Sequence, residues 1–256
     1  MRYIPLLIFS LLPLSAFATE RPDDKMTNDV VDVAAGLPVT IDDATVQELG
    51  TWSSQLITQY QHGVDGKNPL SIYPQLQYGL FNNAEFSFGI PYDLESVDGS
   101  HEDNLATALK YNFVEEQDFV PALALQEELT FPTADNEDGV DVSTTFMLTK
   151  HILPQYGVTA LYLNASWTRF GKIEADERRN SFSAAAGFSH AITDKTALVA
   201  DLVEANEEDK GRSDTIAELG FRHGINKDLI LSFGSGFGLN HDAPDFSLTF
   251  GAEYGF

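Results

Sequence analysis

From Trp52 to the C-terminus, apolar and polar residues alternate in stretches of about ten, each broken by turn residues or acids. Alternation at period two puts successive side chains on opposite faces of a strand. The last stretch is the clearest. Phe246, Leu248, Phe250, Ala252, Tyr254 and Phe256 share one face, against Asp245, Ser247, Thr249, Gly251, Glu253 and Gly255. Between Asn83 and Tyr92 the apolar set is Ala84, Phe86, Phe88, Ile90 and Tyr92, opposed by Glu85, Ser87 and Gly89. The pattern predicts twelve strands, at about 51–61, 69–79, 83–92, 104–114, 119–131, 139–149, 156–169, 181–190, 195–204, 213–222, 228–238 and 245–256.

A soluble sandwich also alternates, so the decision rests on what occupies each face. The polar face is rich in Gly, Ser, Ala, Gln and Thr, which suits a narrow lumen. Aromatics collect near strand ends (Trp52, Tyr60, Tyr92, Phe113, Trp167, Phe188, Tyr254, Phe256), as membrane-interface girdles require. The expected fold is all-β: a closed transmembrane antiparallel up-and-down β-barrel of about twelve strands, spanning residues 51–256.

The connections alternate in character. Leu80–Asn83, Val114–Asp118, Lys150–Gln155, Ala191–Lys195 and His223–Lys227 are short, whereas the intervening loops are longer and mostly acidic. Short turns belong to the periplasmic side of such barrels, so both termini are expected there. Outer-loop acids include Asp93, Glu95, Asp98, Glu102, Asp103, Asp135, Glu137, Asp138, Glu174, Asp176, Glu207, Glu208 and Asp209. They serve either to solvate the rim and bind divalent ions there, or to concentrate cations at a mouth.

Residues 1–18 read as an export signal. Arg2 precedes an apolar run from Ile4 to Leu14, and Ala16-Phe17-Ala18 forms a small-x-small cleavage site. The expected destination is a Gram-negative outer membrane, among its lipid and lipopolysaccharide, with the C-terminal strand ending at Phe256 presented to barrel-assembly machinery. Residues 19–50 lack strand-length alternation and are either a partial plug in the lumen or a periplasmic leader.

The chain has 15 Lys and Arg against 39 Asp and Glu, a net charge of −24, which excludes nucleic-acid binding by a basic face. It has no cysteine, and so no disulfide, thiolate metal site or cysteine nucleophile. No HExxH, GxSxG or phosphate loop occurs, and Ala134–Gly139 fails as a calcium loop because Ala134 and Thr145 stand where acids are needed. The six histidines fall almost entirely in loops, turns or strand ends, where solvation is the default. Neither an enzymatic site nor a cofactor is expected.

Parity sends Glu85, Lys110, Glu128, Asp141, Asp201, Asp214, Glu218, Arg222 and Glu253 to the lumen as pore-lining candidates. Ions inside a barrel need water or a partner. Arg222 with Glu218 or Glu253, and Lys110 with Glu85 or Glu128, are the pairs the pattern offers. The set is either a salt-bridged network or a ladder for a small solute. Glu127 falls on the lipid parity, which predicts a bulge or a contact with protein there.

Several motifs carry a resemblance: Pro38-Val39-Thr40-Ile41-Asp42-Asp43-Ala44, Tyr78-Gly79-Leu80, Phe86-x-Phe88-Gly89-Ile90-Pro91-Tyr92, Leu109-Lys110-Tyr111-Asn112, Leu129-Thr130-Phe131-Pro132-Thr133-Ala134-Asp135, Leu219-Gly220-Phe221-Arg222 and Tyr254-Gly255-Phe256. In this order they are similar to the outer-membrane transporter family of the meta-pathway of phenol degradation. The resemblance implies a channel taking up small hydrophobic or aromatic compounds, and it brings no catalytic or ligand residues.

Overall fold

The structure, a computed structural model, describes residues 29–63, 68–95, 104–133, 139–152, 158–173, 175–206 and 208–256. The export signal and the loop acids Asp98, Glu102, Asp103, Asp135, Glu137, Asp138, Glu174 and Glu207 lie outside the described residues, as do residues 134–138 of the rejected calcium loop.

The alternating stretches form β1 (Trp52–His62), β2 (Leu70–Phe81), β3 (Ala84–Gly89), β4 (Tyr92–Glu95), β5 (Asn104–Val114), β6 (Ala122–Pro132), β7 (Asp141–Ile152), β8 (Thr159–Arg169), β9 (Asn180–Thr193), β10 (Thr196–Asn206), β11 (Ser213–Gly224), β12 (Leu229–Gly238) and β13 (Phe246–Gly255). All pair antiparallel with their neighbours, and β1 pairs with both β2 and β13, which closes the sheet. β3 and β4 both pair with β2 and are two parts of one wall strand, interrupted at Ile90-Pro91, where proline offers no N–H to the ladder. The wall is therefore a closed barrel of twelve strands, as the alternation predicts.

The parity reading also holds. Leu56, Leu109, Leu163, Leu219, Phe233 and Phe250 stand exposed on the outer surface, while Ser53, Gln55, Ser87, Asn164 and Thr249 on the other parity are buried inside. A closed barrel exposing an apolar exterior has every ladder bond satisfied within the wall, which is what a hydrocarbon surround demands. Aromatic pairs mark both ends: Trp52 against Tyr78 and Tyr254 against Phe256 at one, Tyr60 against Phe246 at the other.

At Glu127 the expected bulge is absent. The β6–β7 register runs without interruption through Glu127↔Thr144, and the β5–β6 shift lies instead between Asn112 and Val114. Glu127 is exposed at mid-strand, accepting a hydrogen bond from Thr144 Oγ1 at 2.9 Å.

The apolar core lies inside the ring. Val30, Val31, Val33, Val39 and Ile41 pack against inward-facing Ala160, Tyr162, Ala185, Val199, Val203 and Ile230. These small apolar residues on the lumen parity would face water if nothing covered them. Residues 29–50 cover them.

Candidate functional site

Residues 29–50 enter the barrel at the end where the chain also leaves it, and then turn across the lumen. The turn comes at Ala34–Leu37, closed by the bond from Leu37 N–H to Ala34 O at 2.9 Å, with Gly36 at φ 74° in its third position. A side chain is disfavoured at that φ, so glycine is what lets the chain reverse. Beyond it, Leu37 and Pro38 lie on a track of glycines. A Cβ at Gly251 would collide with the Leu37 side chain, and one at Gly234 with the Pro38 carbonyl.

From Thr40 onward the segment is held strand by strand. Its backbone N–H groups donate to wall side chains in sequence: Thr40 to Glu218 Oε2 (2.8 Å), Ile41 to Asp201 Oδ2 (2.9 Å), Asp42 to Asn164 Oδ1 (2.7 Å), Ala44 to Thr149 Oγ1 (2.8 Å) and Gln47 to Glu85 Oε2 (2.9 Å). In return Asn164 Nδ2 donates to Asp42 O and Asn112 Nδ2 to Ala44 O. The acceptors come from β11, β10, β8, β7 and β3, so the segment runs as an arc around the inner wall. A segment without strand or helix must find such partners for its buried N–H groups.

Charged anchors reinforce the arc. Lys110 Nζ sits 3.1 Å from Asp42 Oδ2 and 3.9 Å from Asp43 Oδ1, all three side chains being buried. Arg222 donates through Nη1 to Leu37 O (3.1 Å) and through Nη2 to Asp29 O (3.4 Å) and Glu253 Oε2 (3.2 Å). Tyr162 Oη and Ser189 Oγ both donate to Val31 O at 2.6 Å.

Of the residues that parity sends inward, Glu85, Lys110, Asp201, Glu218 and Arg222 bind the segment directly, and Glu253 does so through Arg222. Arg222 pairs with Glu253 as expected. Lys110 stands directly opposite Glu85 on the β3–β5 ladder, as expected, but its ion pairs are to Asp42 and Asp43, which periodicity could not place beside it. Glu128 faces inward from β6, half-buried. Asp141 accepts from Gly171 N (2.8 Å) at the far rim, and Asp214 Oδ1 has no hydrogen-bond partner among the described residues.

Solvation, the default for histidine at a strand end, is wrong for His151. Its Nδ1 lies 2.6 Å from Glu116 Oε2 and its Nε2 2.7 Å from Asp32 Oδ1. Two carboxylates on the two ring nitrogens hold an imidazolium between them. Burial raises the Glu116 carboxyl, but hydrogen bonds from His151 and Lys150 outweigh it and hold this turn residue at about 2. Sequence reading also missed Asp32, Asp42, Asp43, Asn112, Thr149, Tyr162 and Asn164. The one available signal was the apolar cluster on the lumen parity of β8 to β10, which called for a cover.

The segment divides the interior. A cavity of about 630 Å³ lies on the side of the chain ends, lined by Asp42, Gln55, Glu85 and Glu253 among others, and reaches Trp52, Asp228 and Phe256 at the rim. On the far side a cavity of about 160 Å³ is lined by Thr145, Ser166 and Ser183. Asp42 lines both.

Residues 19–256 match the profile of the family described as "Putative MetA-pathway of phenol degradation". The chain belongs to this family. The chain is similar in structure to the COG4313 outer membrane channel from Pseudomonas putida F1, which is 15% identical with a TM-score of 0.63, covering 85% of this chain and 100% of that one. The KdgM porin is 9% identical with a TM-score of 0.57, covering 80% and 99%. At such identities the likeness establishes the fold alone, a closed antiparallel β-barrel. No curated protein matches the chain.

Proposed function

We propose that this family member is an outer-membrane channel for the diffusion of small solutes, in which residues 29–50 plug the lumen and must move for solute to pass. The observation that carries the reading is the arc of bonds from Thr40 to Gln47, which leaves cavities on either side of one cross-piece. A wall designed only to be filled would have side chains meeting across the axis. Here the wall residues Asp201, Glu218, Asn164 and Glu85 end on backbone N–H groups of a separate segment, which can exchange those bonds for water without unfolding a strand.

In this reading the short-turn end, with both termini, faces the periplasm, and the larger cavity is the periplasmic vestibule. The solutes implied by the family's description are aromatic, and the likeness to channels and a porin supports passage of small molecules in general. Conductance in planar bilayers tests the reading. The mature chain is expected to show small or intermittent currents, and the chain lacking residues 19–50 a larger, steady one. Silence from both, with correctly folded barrels, favours a closed structural barrel instead.

A further inference from the structure

The vestibule has a chemical character that the aromatic-solute expectation does not explain. Eight carboxylates line it against three basic side chains. Lys110 is taken by Asp42 and Asp43, Arg222 by Glu253, and Lys227 lies 3.6 Å from Asp228. The formal balance remains negative after these pairs are made. An acidic lining alone is not a site, but Gln55 adds a second observation.

Gln55 lines the same cavity and is 4% exposed. Its Nε2 donates to Gln77 Oε1 at 3.1 Å, and Ser53 Oγ donates to that same oxygen at 2.8 Å. Gln77 Oε1 thus accepts from both, and Nε2 is the end of the Gln55 amide turned toward it. The other end, Gln55 Oε1, is a buried acceptor with no hydrogen-bond partner among the described residues. Such an atom is destabilising unless a donor reaches it. Its ladder neighbour is Glu253, directly opposite on β13.

An unpartnered acceptor beside carboxylates calls for a ligand that brings N–H donors and positive charge together. Among the described residues no three carboxylate or imidazole groups converge as a bare metal ion requires. The acids are instead divided between the inner segment and the wall, and Val33 and Ile230 add apolar surface to the same lining. That combination suits a short carbon chain carrying an ammonium group. We propose that the vestibule binds primary organic ammonium compounds, alkyl amines or diamines, with Gln55 Oε1, Glu253 and Glu85 receiving their N–H groups. The proposal names a solute class for the passage described above, and to that extent rests on the channel reading.

Trp52 lines the cavity and reports on it. In a Trp167→Phe background it is the single tryptophan, the chain having two. The refolded mature chain in detergent is titrated with 1,4-diaminobutane at pH 7, with 1-butanol, phenol and calcium as comparisons. A saturable fluorescence change is expected with the diamine alone, weakened at least tenfold by Gln55→Leu and retained by Gln55→Glu, which keeps an acceptor. Heat-modifiable migration identifies the folded barrels among these variants. No saturable response to the diamine, an equal response to phenol or calcium, or full binding by folded Gln55→Leu would overturn the site. The titration needs no conduction: a protein that conducts without binding diamine loses the site and keeps the pore, and one that binds without ever conducting keeps the site and loses the pore.

Discussion

His151 Nε2 lies 2.7 Å from Asp32 Oδ1, tying the start of the luminal segment to the end of β7. The opposite ring nitrogen meets Glu116 in the turn before β6, and Lys150 Nζ reaches Glu116 Oε1 at 2.9 Å. One imidazolium thus joins the segment to the rim of the wall.

The latch should fail in acid. Glu116 sits at about 2 in the folded protein against an ordinary 4.5. A carboxyl held low contributes stability above its unfolded value and loses it as pH falls through its folded one. Between pH 4.5 and 2 a spin label at Ala35 should therefore gain mobility, while His151→Gln, already without the bridge, should show no such step. An equal transition in both proteins would remove the latch from the account.

Lys110 holds two buried carboxylates. Lys110→Met leaves them without their cation, and breaking a buried pair from one side costs on the order of 3–5 kcal/mol. Docking of the segment should be lost while the barrel stays folded, seen as protease-sensitive residues 29–50 on a heat-modifiable barrel. Adding Asp42→Asn and Asp43→Asn should restore part of the protection. Full protection in the single variant would show that the pair does not anchor the segment.

The glycine track makes a steric prediction. Gly251→Val places carbon where the Leu37 side chain lies, and Gly234→Ala places it at the Pro38 carbonyl. Glycine is itself a weak residue inside a strand, so the wall should tolerate both substitutions and the segment should not. Higher single-channel conductance is expected from either. Unchanged currents from a folded variant would mean that the segment repacks without leaving.

Glu127 stands on the hydrocarbon face with Thr144 as its partner. A carboxylate there costs less than the roughly 2–4 kcal/mol of a mid-bilayer basic residue but is still unfavourable. Glu127→Leu should raise the urea midpoint of the barrel folded in lipid vesicles. A lowered midpoint would indicate that this face meets protein.

The wall was legible because period two is a local signal. Phe246 to Phe256 declares two faces without reference to any other part of the chain. Alternation runs on through Ile90-Pro91, so the single strand expected over 83–92 hides the break that proline's missing donor makes there. Even the inward charges could be named, since parity alone sends Glu218 and Arg222 to the lumen. Their partners could not. The N–H of Thr40 meets Glu218 across 178 positions of sequence, and nothing periodic marks a segment that binds through its backbone. His151 shows the same limit, because its environment is assembled from three distant parts of the chain. What parity did offer was a contradiction, alanines and valines facing a supposedly watery lumen at Ala185, Val199 and Val203, and the segment resolves it.

A reversible lock on the segment tests the plug most directly. The chain has no cysteine, so Ala44→Cys with Thr149→Cys, joined in the structure by a 2.8 Å bond from Ala44 N to Thr149 Oγ1, introduces a single candidate disulfide. Oxidised protein in a planar bilayer should be silent, with current appearing on addition of reductant and disappearing on reoxidation. Equal currents from the oxidised, crosslinked protein and the reduced protein would contradict the claim that this segment controls passage.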